Sequence, residues 1–226
     1  MRHDSPRLAE ALTEERAWDA DGVTVLRASV TLPQLAPGGQ RARRFNRYYR
    51  RFCRAYFAYC AQVLLPEAAA SCRDAMAVSA PWSVARAELT FRVVFRRGAL
   101  WSVVCDAREC VCGQPPFLLR RSDVWDLNAG LPVPPEEFFP PHRRCKRELL
   151  RFARAEMQRR AQQGFPCREN WRAMLRRALN LRNCYPVEEG LCFFYPPGAV
   201  ADEKGGIVTF TMPYDTENGP FLPPEE

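Results

Sequence analysis

The spacing of apolar residues changes from a helical to a strand period early in this chain, and this change restricts the fold more than any other feature. Bulky apolar residues recur every three or four positions between 40 and 65, namely Phe45, Tyr49, Phe52, Tyr56, Tyr59 and Val63. That period predicts one long amphipathic helix, which Pro66 ends or kinks. Residues 83–106 instead alternate on either side of the Arg97-Gly98 turn, which is typical of an antiparallel hairpin.

The rest of the chain mixes both patterns in an irregular order. Strand patterns cover 23–32, 117–127, 190–195 and 206–212, and helical patterns cover 143–161 and 169–179. A doubly wound parallel sheet needs a regular alternation of strands and helices, which is missing here. The sequence therefore predicts an α+β fold, in which a mainly antiparallel sheet carries the long N-terminal helix and a second helical segment.

Where these patterns begin and end divides the chain into three segments. We expect an acidic N-terminal extension at 1–22, a single domain at 23–214 and a C-terminal tail at 215–226. No apolar run approaches the length of about 20 residues that a membrane-spanning helix needs. The charged N-terminus also lacks the apolar stretch of a signal peptide. A cytoplasmic protein with no membrane span is therefore expected.

The ten cysteines favour buried thiols over a disulfide framework, which is typical of short secreted chains. Cys53 and Cys60 fall in the long helical pattern, and Cys105 and Cys192 fall in strand patterns. A free cysteine in such a position packs as a small hydrophobic residue. We therefore expect the cysteines to be mostly reduced and buried.

The best candidate for a metal site combines Cys105, Cys110 and Cys112 with Asp106 and Glu109. Alternate positions of a strand place Cys110 and Cys112 on one face, and two thiolates with a carboxylate could hold zinc. A zinc site normally has four ligands at recognisable spacings, and no second cysteine pair completes this set. We favour structural thiols over a metal site or a redox pair, and we expect no metal.

Catalytic signatures are missing from the sequence. A catalytic triad would have to use His142, because His3 lies in the N-terminal extension, and no nucleophile turn surrounds it. Asp123 and Asp126 flank Trp125 but face opposite sides of a strand, so a turn-and-solvent role is favoured over sugar chemistry. No glycine-rich phosphate or dinucleotide loop is present. We therefore expect no enzymatic activity and no cofactor.

Positive charge is concentrated in the middle of the chain. Residues 25–182 hold 29 bases and 12 acids, whereas both ends are acidic. This asymmetry indicates either an acidic partner or acidic ends that fold back on a basic centre.

The arginine-rich part of the long helix is the strongest positive signal. Seven arginines lie between 41 and 54 with no acid among them. Arg43, Arg47, Arg50 and Arg54 recur with the helical period and share one face, as contacts to the phosphates of a nucleic acid or another polyanion would require. Because the aromatic residues fall on the inward stripe, we favour a simpler interpretation, in which these arginines are solvated or pair with acids near the C-terminus. Those acids are Glu188, Glu189, Asp202 and Glu203.

Five stretches, taken in order, resemble one known family. They are TLPQL (31–35) after a strand, FNRYY (45–49) in the long helix, the strand pair at 90–106, DLNAG (126–130) leading to 136–139, and GLCFFYPP (190–197) running to 206–210. The family is the RsiV-like domain of unknown function. It forms the outer part of the RsiV anti-sigma factor and precedes the catalytic domain in some peptidoglycan deacetylases. The resemblance spans about residues 23–214.

The resemblance implies an α+β domain without catalysis of its own, and RsiV members of the family bind lysozyme outside the cell. The family's glycine-rich GGAHG stretch is replaced here by ECVCGQ (109–114), so no binding residue is carried over. Our leading hypothesis is a non-enzymatic binding module for an unknown protein or cell-wall-type ligand. The alternative is a nucleic-acid or other polyanion binder that uses the arginine-rich helix at 41–54. An arginine face free of neighbouring carboxylates would favour the alternative.

Overall fold

The computed structural model describes residues 7–111, 115–141, 144–214 and 220–222. Its main elements, in chain order, are β1 (Leu12–Ala20), β2 (Val23–Leu32), α1 (Gln40–Tyr59), α2 (Leu65–Ala77), β3 (Ala85–Arg97), β4 (Leu100–Cys110), β5 (Phe117–Asp126), β6 (Leu131–Pro132), α3 (Cys145–Gln162), α4 (Trp171–Ala178), β7 (Cys184–Val187), β8 (Gly190–Tyr195) and β9 (Val208–Pro213). Helix and strand each account for 36% of the structure, which confirms the α+β class. No described helix is both long and apolar enough to cross a membrane.

Two mainly antiparallel sheets hold the strands. β1 to β6 form a six-stranded sheet in chain order, and β7 to β9 form a three-stranded one. The hairpin of β1 and β2 turns at Asp21-Gly22, where φ is 52° and 79°, as a tight two-residue hairpin loop requires. β2 and β3 pair in parallel, because the helical segment between them carries the chain back before β3 begins.

The long helix runs without interruption through 38 residues, 40–77. A π-helical turn at Cys60–Leu64 joins α1 to α2, and the Leu65 amide donates to the carbonyl of Cys60, five residues earlier. Pro66 follows shortly after this turn, as the second residue of α2. The prediction that the helix ends at Pro66 is therefore wrong, because the helix continues to Ala77. The π-helical turn just before the proline is a usual site for a kink.

The chain divides into two compact units. Unit 1 comprises Met1–Phe91 and Cys105–Leu118, and unit 2 comprises Arg92–Val104 and Leu119–Glu226. β1 lies within the segment that the sequence analysis assigns to an acidic extension, and there it pairs with β2 along its whole length. The boundaries at residues 22 and 214 stay predictions.

The core of unit 1 includes one face of the long helix. Its buried positions in α1 and the π-helical turn are Phe45, Tyr49, Cys53, Tyr56, Phe57, Cys60 and Leu64. The helical period puts Phe52 and Val63 on the same face as the buried aromatic residues and so predicts them as core residues. Phe52 is only half-buried and Val63 is 49% exposed, so this prediction is wrong for Val63. Cysteines at 53 and 60 take inward positions because a thiol packs as a small hydrophobic side chain. An interpretation based on the bulky residues alone includes the exposed Val63 and misses the two buried cysteines.

The core of unit 2 is rich in aromatic rings. Phe193 of β8 stacks on Phe210 of β9 with 5.2 Å between the ring centroids. The buried Tyr195 donates a 3.0 Å hydrogen bond to the carbonyl of Leu175 in α4, which satisfies its hydroxyl. Leu149, Ala153 and Met157 of α3 are fully buried in this cluster, as their helical spacing predicts.

Candidate anion-binding groove

The arginines that the sequence analysis selected lie on one exposed stripe of α1. Arg43, Arg47, Arg50 and Arg54 are all exposed and follow one another at steps of four, three and four residues. At about 100° per residue, these steps keep the four side chains within an arc of about 60°. At about 1.5 Å per residue, the stripe is about 16 Å long. The structure therefore confirms that these four arginines share a face.

The stripe borders a groove with a volume of about 700 Å³. Its lining consists of Pro37, Gly38, Ala42, Arg43, Asn46, Arg47, Arg50, Arg51 and Arg54. A second depression of about 420 Å³ shares Arg43 and Arg47 and adds Gln40 and Arg44. All of these residues belong to α1 or to the loop just before it. We call the nine residues around the larger volume the arginine groove.

Asn46 fixes the loop that forms the end of the arginine groove. Its Oδ1 accepts a 2.8 Å hydrogen bond from the Leu35 amide, and its Nδ2 donates to the Leu35 carbonyl at 3.0 Å. This pair of bonds ties the segment after β2 to the second turn of α1. On the inward side of the helix, Phe45 and Tyr49 are fully buried. The backbone that carries the arginines is therefore held from both sides, whereas the side chains themselves extend into solvent.

The arginine groove contains positive charge without a matching carboxylate. No ion pair within 4.0 Å joins Arg43, Arg47, Arg50 or Arg54 to an acid in the part of the chain that the structure describes. Asp202, one of the acids considered as a partner, instead accepts a hydrogen bond from the Gly205 amide. These arginines are therefore solvent-exposed and have no acidic partner among the described residues.

The cysteine and carboxylate group around β4 does not assemble into a metal site among the described residues. Alternation along the strand places Cys105 and Glu109 on one face and Asp106 and Cys110 on the other. Cys112 lies outside the described residues, as do His3 and His142. The nine described cysteines carry free thiols, and seven of them are buried. Their burial confirms that these thiols pack as apolar side chains.

Asp126 takes the turn role that the sequence predicts, whereas Asp123 lies in β5 with a side chain that is only 9% exposed, so a turn-and-solvent role does not describe it. Asp123 pairs with Arg121 at 3.2 Å, whereas Oδ1 of Asp126 accepts hydrogen bonds from the amides of Asn128 and Ala129. Trp125 between them is buried and therefore offers no exposed ring on which a sugar can stack. Asp126 stabilises the turn that follows β5.

One polar cluster was not predicted from the sequence. Glu109 of β4 is 3% exposed, and its carboxylate accepts hydrogen bonds from the hydroxyls of Tyr56 at 3.3 Å and Tyr59 at 2.9 Å. Burial raises the pKa of Glu109, although both hydrogen bonds oppose that shift. Burial and the nearby carboxylate raise the pKa of Tyr59 to about 12. The sequence does contain one indication of this cluster, because Glu109 is the only acid on an otherwise apolar face of β4.

Comparison with known proteins finds solved structures with a similar fold and low sequence identity. No protein-family model and no curated protein matches the chain. A crystal structure of a DUF3298 family member from Bacteroides fragilis superposes with a TM-score of 0.66 and 12% identity, covering 93% of this chain and 92% of that one. A DUF3298 family protein from Pseudomonas aeruginosa superposes with a TM-score of 0.55 and 10% identity over the same shares of the two chains. The chain therefore has the fold of these DUF3298 family proteins.

Proposed function

We propose that this protein is a non-enzymatic binding module that holds an acidic macromolecule in the arginine groove. The observation that carries this proposal is the set of five arginines around one groove, Arg43, Arg47, Arg50, Arg51 and Arg54. None of the four on the stripe pairs with a carboxylate among the described residues. A face free of carboxylates favours a polyanion over the protein or cell-wall-type ligand that the sequence analysis ranked first.

Four arginines of α3 differ from those of the arginine groove because they form ion pairs. In α3, Arg147 and Arg151 both lie within 3.4 Å of Glu148. Arg159 and Arg160 of the same helix contact Glu156 at 2.6 and 2.9 Å. Four arginines of α3 therefore pair with two acids of the same helix. The stripe arginines of α1 have no such partner among the described residues, and an anionic ligand supplies the missing charge.

The start of the stripe also favours an anion. The first turn of α1 contains no acidic residue, and no side chain caps its N-terminus. Arg43 lies in this turn, where an exposed positive side chain opposes the helix dipole at a cost of about 0.3–1 kcal/mol. The other three stripe arginines lie beyond the first turn, where this effect has fallen off. Arg43 therefore adds to the positive potential at the N-terminal end of the groove, where it favours a bound anion.

The side chains of the arginine groove are suited to binding rather than to catalysis. An arginine stays protonated and cannot act as a general base. Asn46 uses both ends of its amide to hold Leu35, and the remaining lining residues are Pro37, Gly38 and Ala42. The groove therefore contains no nucleophile and no group that titrates near neutral pH, which supports a non-enzymatic role for this site.

The test compares two quadruple variants of the full chain that lose the same charge. The groove variant is R43Q/R47Q/R50Q/R54Q. The control is R86Q/R154Q/R176Q/R177Q, which removes four exposed arginines outside the groove. Fluorescence anisotropy measures binding of labelled duplex DNA and labelled poly-glutamate at about physiological salt.

We expect the groove variant to lose at least about tenfold in affinity for one of these polymers, equivalent to about 1.4 kcal/mol. The control should stay within about threefold of the wild type. Equal losses in both variants would mean that net charge alone drives the binding, and this would contradict the proposal. Unchanged binding by the groove variant would contradict it as well.

A further inference from the structure

We infer that the ligand of the arginine groove is a linear chain of phosphates, recognised through its charge and without contacts to nucleobases. This inference rests on the proposed function and narrows its ligand class. Four features carry it: the length of the stripe, the arginines at its side, the location of the aromatic rings of α1, and the hydrogen bonds already made by the amide side chain of the groove.

The length of the stripe selects an extended ligand. Successive arginines are separated along the axis by about 6.0, 4.5 and 6.0 Å, and the whole stripe is about 16 Å long. A single mononucleotide or a short phosphate ester cannot contact Arg43 and Arg54 at once. A chain of phosphates offers one charge after another along its length, so that all four arginines can be neutralised together. Affinity should therefore rise with chain length until the stripe is filled.

Arg51 and Arg44 add contacts at the side of the stripe. At about 100° per residue, they lie about 80° and 100° around α1 from Arg43. A chain that runs along the stripe therefore meets guanidinium groups from more than one direction. A phosphate is tetrahedral and presents acceptor oxygens to several sides, whereas a carboxylate presents two oxygens in one plane. This geometry favours phosphate polymers over carboxylate polymers such as poly-glutamate.

The groove provides no ring on which bases can stack. Its lining contains no aromatic residue. Of the aromatic side chains of α1, Phe45, Tyr49, Tyr56 and Phe57 are buried in unit 1. Tyr48, Phe52 and Tyr59 are half-buried, and none of them lines the groove. Proteins that bind single-stranded nucleic acids combine a positive groove with exposed rings, and stacking of one base raises the affinity by about fivefold or more. Here only the positive groove is present.

The groove also lacks a free amide to read the edges of bases. Asn46 is the only amide side chain in the lining of the arginine groove, and both of its polar atoms are engaged with the Leu35 backbone. Gln40 lines only the smaller depression beside it. Asparagine and glutamine recognise adenine through a free amide. The remaining polar groups are guanidinium groups, which bind phosphate in a bidentate geometry. Recognition through the lining residues is therefore independent of sequence.

The experiment measures the affinity of the full chain for three sets of probes by competition against a labelled polyphosphate. The first set is tripolyphosphate and a polyphosphate of about ten units. The second set is an abasic deoxyribose-phosphate chain, oligo-dT and oligo-dG, all with the same number of phosphates. The third set is the longer polyphosphate and poly-glutamate of equal charge.

The longer polyphosphate should bind at least about tenfold more tightly than tripolyphosphate and than poly-glutamate. The abasic chain and the two oligonucleotides should agree within about threefold, because one stacked base alone would separate them by about fivefold or more. The variant R43Q/R47Q/R50Q/R54Q should lose the dependence on polyphosphate length.

Two results would contradict this inference and leave the proposed function intact. One is binding of oligo-dT or oligo-dG at least about tenfold tighter than the abasic chain, and the other is equal binding of poly-glutamate and polyphosphate. In both cases the groove variant would still lose affinity, so the proposed function would stand. If the groove variant binds every probe as the wild type does, the proposed function fails and this inference fails with it.

Discussion

The hydroxyl of Tyr59 in α1 donates a 2.9 Å hydrogen bond to Oε2 of Glu109 in β4. Oε1 of the same carboxylate accepts from Tyr56 at 3.3 Å. Glu109 is almost fully buried and forms no ion pair among the described residues. Two hydroxyl donors at the C-terminal end of α1 thus partly compensate for the burial of one acid. The π-helical turn begins at the residue that follows Tyr59.

The raised pKa of Glu109 makes the stability of the fold depend on pH. The folded state binds a proton at Glu109 more readily than the unfolded state does, so this group favours folding most below its ordinary pKa of 4.5. That contribution is lost as the pH rises from 4.5 through the raised pKa of the folded state. Glu109→Gln should flatten this part of the profile in urea unfolding at several pH values. Glu88→Gln, at an exposed position of β3, is the control and should leave the slope unchanged.

A change at Glu156 of α3 should have the opposite pH dependence. Hydrogen bonds from Arg159 and Arg160 hold the pKa of Glu156 at about 2. Its contribution is therefore complete above the ordinary pKa of 4.5 and is lost as the pH falls toward 2. Because the pairs are partly exposed to solvent, Glu156→Gln should cost about 1 kcal/mol or less at neutral pH. Denaturant unfolding at pH 7 and pH 3, with Glu169→Gln as the exposed control, measures this cost. A cost at pH 3 as large as the cost at pH 7 would contradict the assignment.

Substitutions along the long helix separate its buried face from its exposed face. Phe45 is fully buried, and Phe45→Ala should lower the free energy of unfolding by about 3–5 kcal/mol. Val63 is 49% exposed, and Val63→Ala should change it by about 0.5 kcal/mol or less. Chemical denaturation of both variants tests this order. A large loss at Val63 would mean that this side chain is covered in solution.

Thiol reactivity follows the burial of the cysteines. Burial raises the pKa of Cys145 to about 12 and raises that of Cys184 strongly, so these thiols should react slowly in the native protein. Cys110 and Cys167 are partly exposed and should react first among the described cysteines. Titration in denaturant without reductant should then find most of the ten cysteines free. Four or five disulfides in that titration would contradict both the burial and the expected reducing environment.

The fold could be predicted from the sequence where the hydrophobic period is long and regular. The long helix, the hairpin of β3 and β4, and α3 all follow from such runs. β1 was missed because LTEERAWDA is an edge strand with half-exposed and exposed positions, so it shows little apolar alternation. β7 was missed because it is only four residues long and contains Pro186. Short and edge strands depend on their neighbours more than on their own pattern.

The candidate site could be predicted in its residues but not in its surroundings. The helical period alone places Arg43, Arg47, Arg50 and Arg54 on one face, and the structure agrees. The groove depends on the loop at Pro37 and Gly38, which Asn46 holds through the Leu35 backbone. The lack of an acidic partner depends on which carboxylates come close when the chain folds. Neither property can be derived from local spacing.

The salt dependence of polyanion binding tests the central claim most directly. Log affinity for duplex DNA should fall linearly with log salt, with a slope of about −0.9 for each phosphate neutralised. Four groove arginines predict a contribution of about −3.6 to that slope. The variant R43Q/R47Q/R50Q/R54Q should lose most of this slope, and R86Q/R154Q/R176Q/R177Q should retain it. An identical slope for the wild type and the groove variant would contradict the assignment of the arginine groove as the binding site.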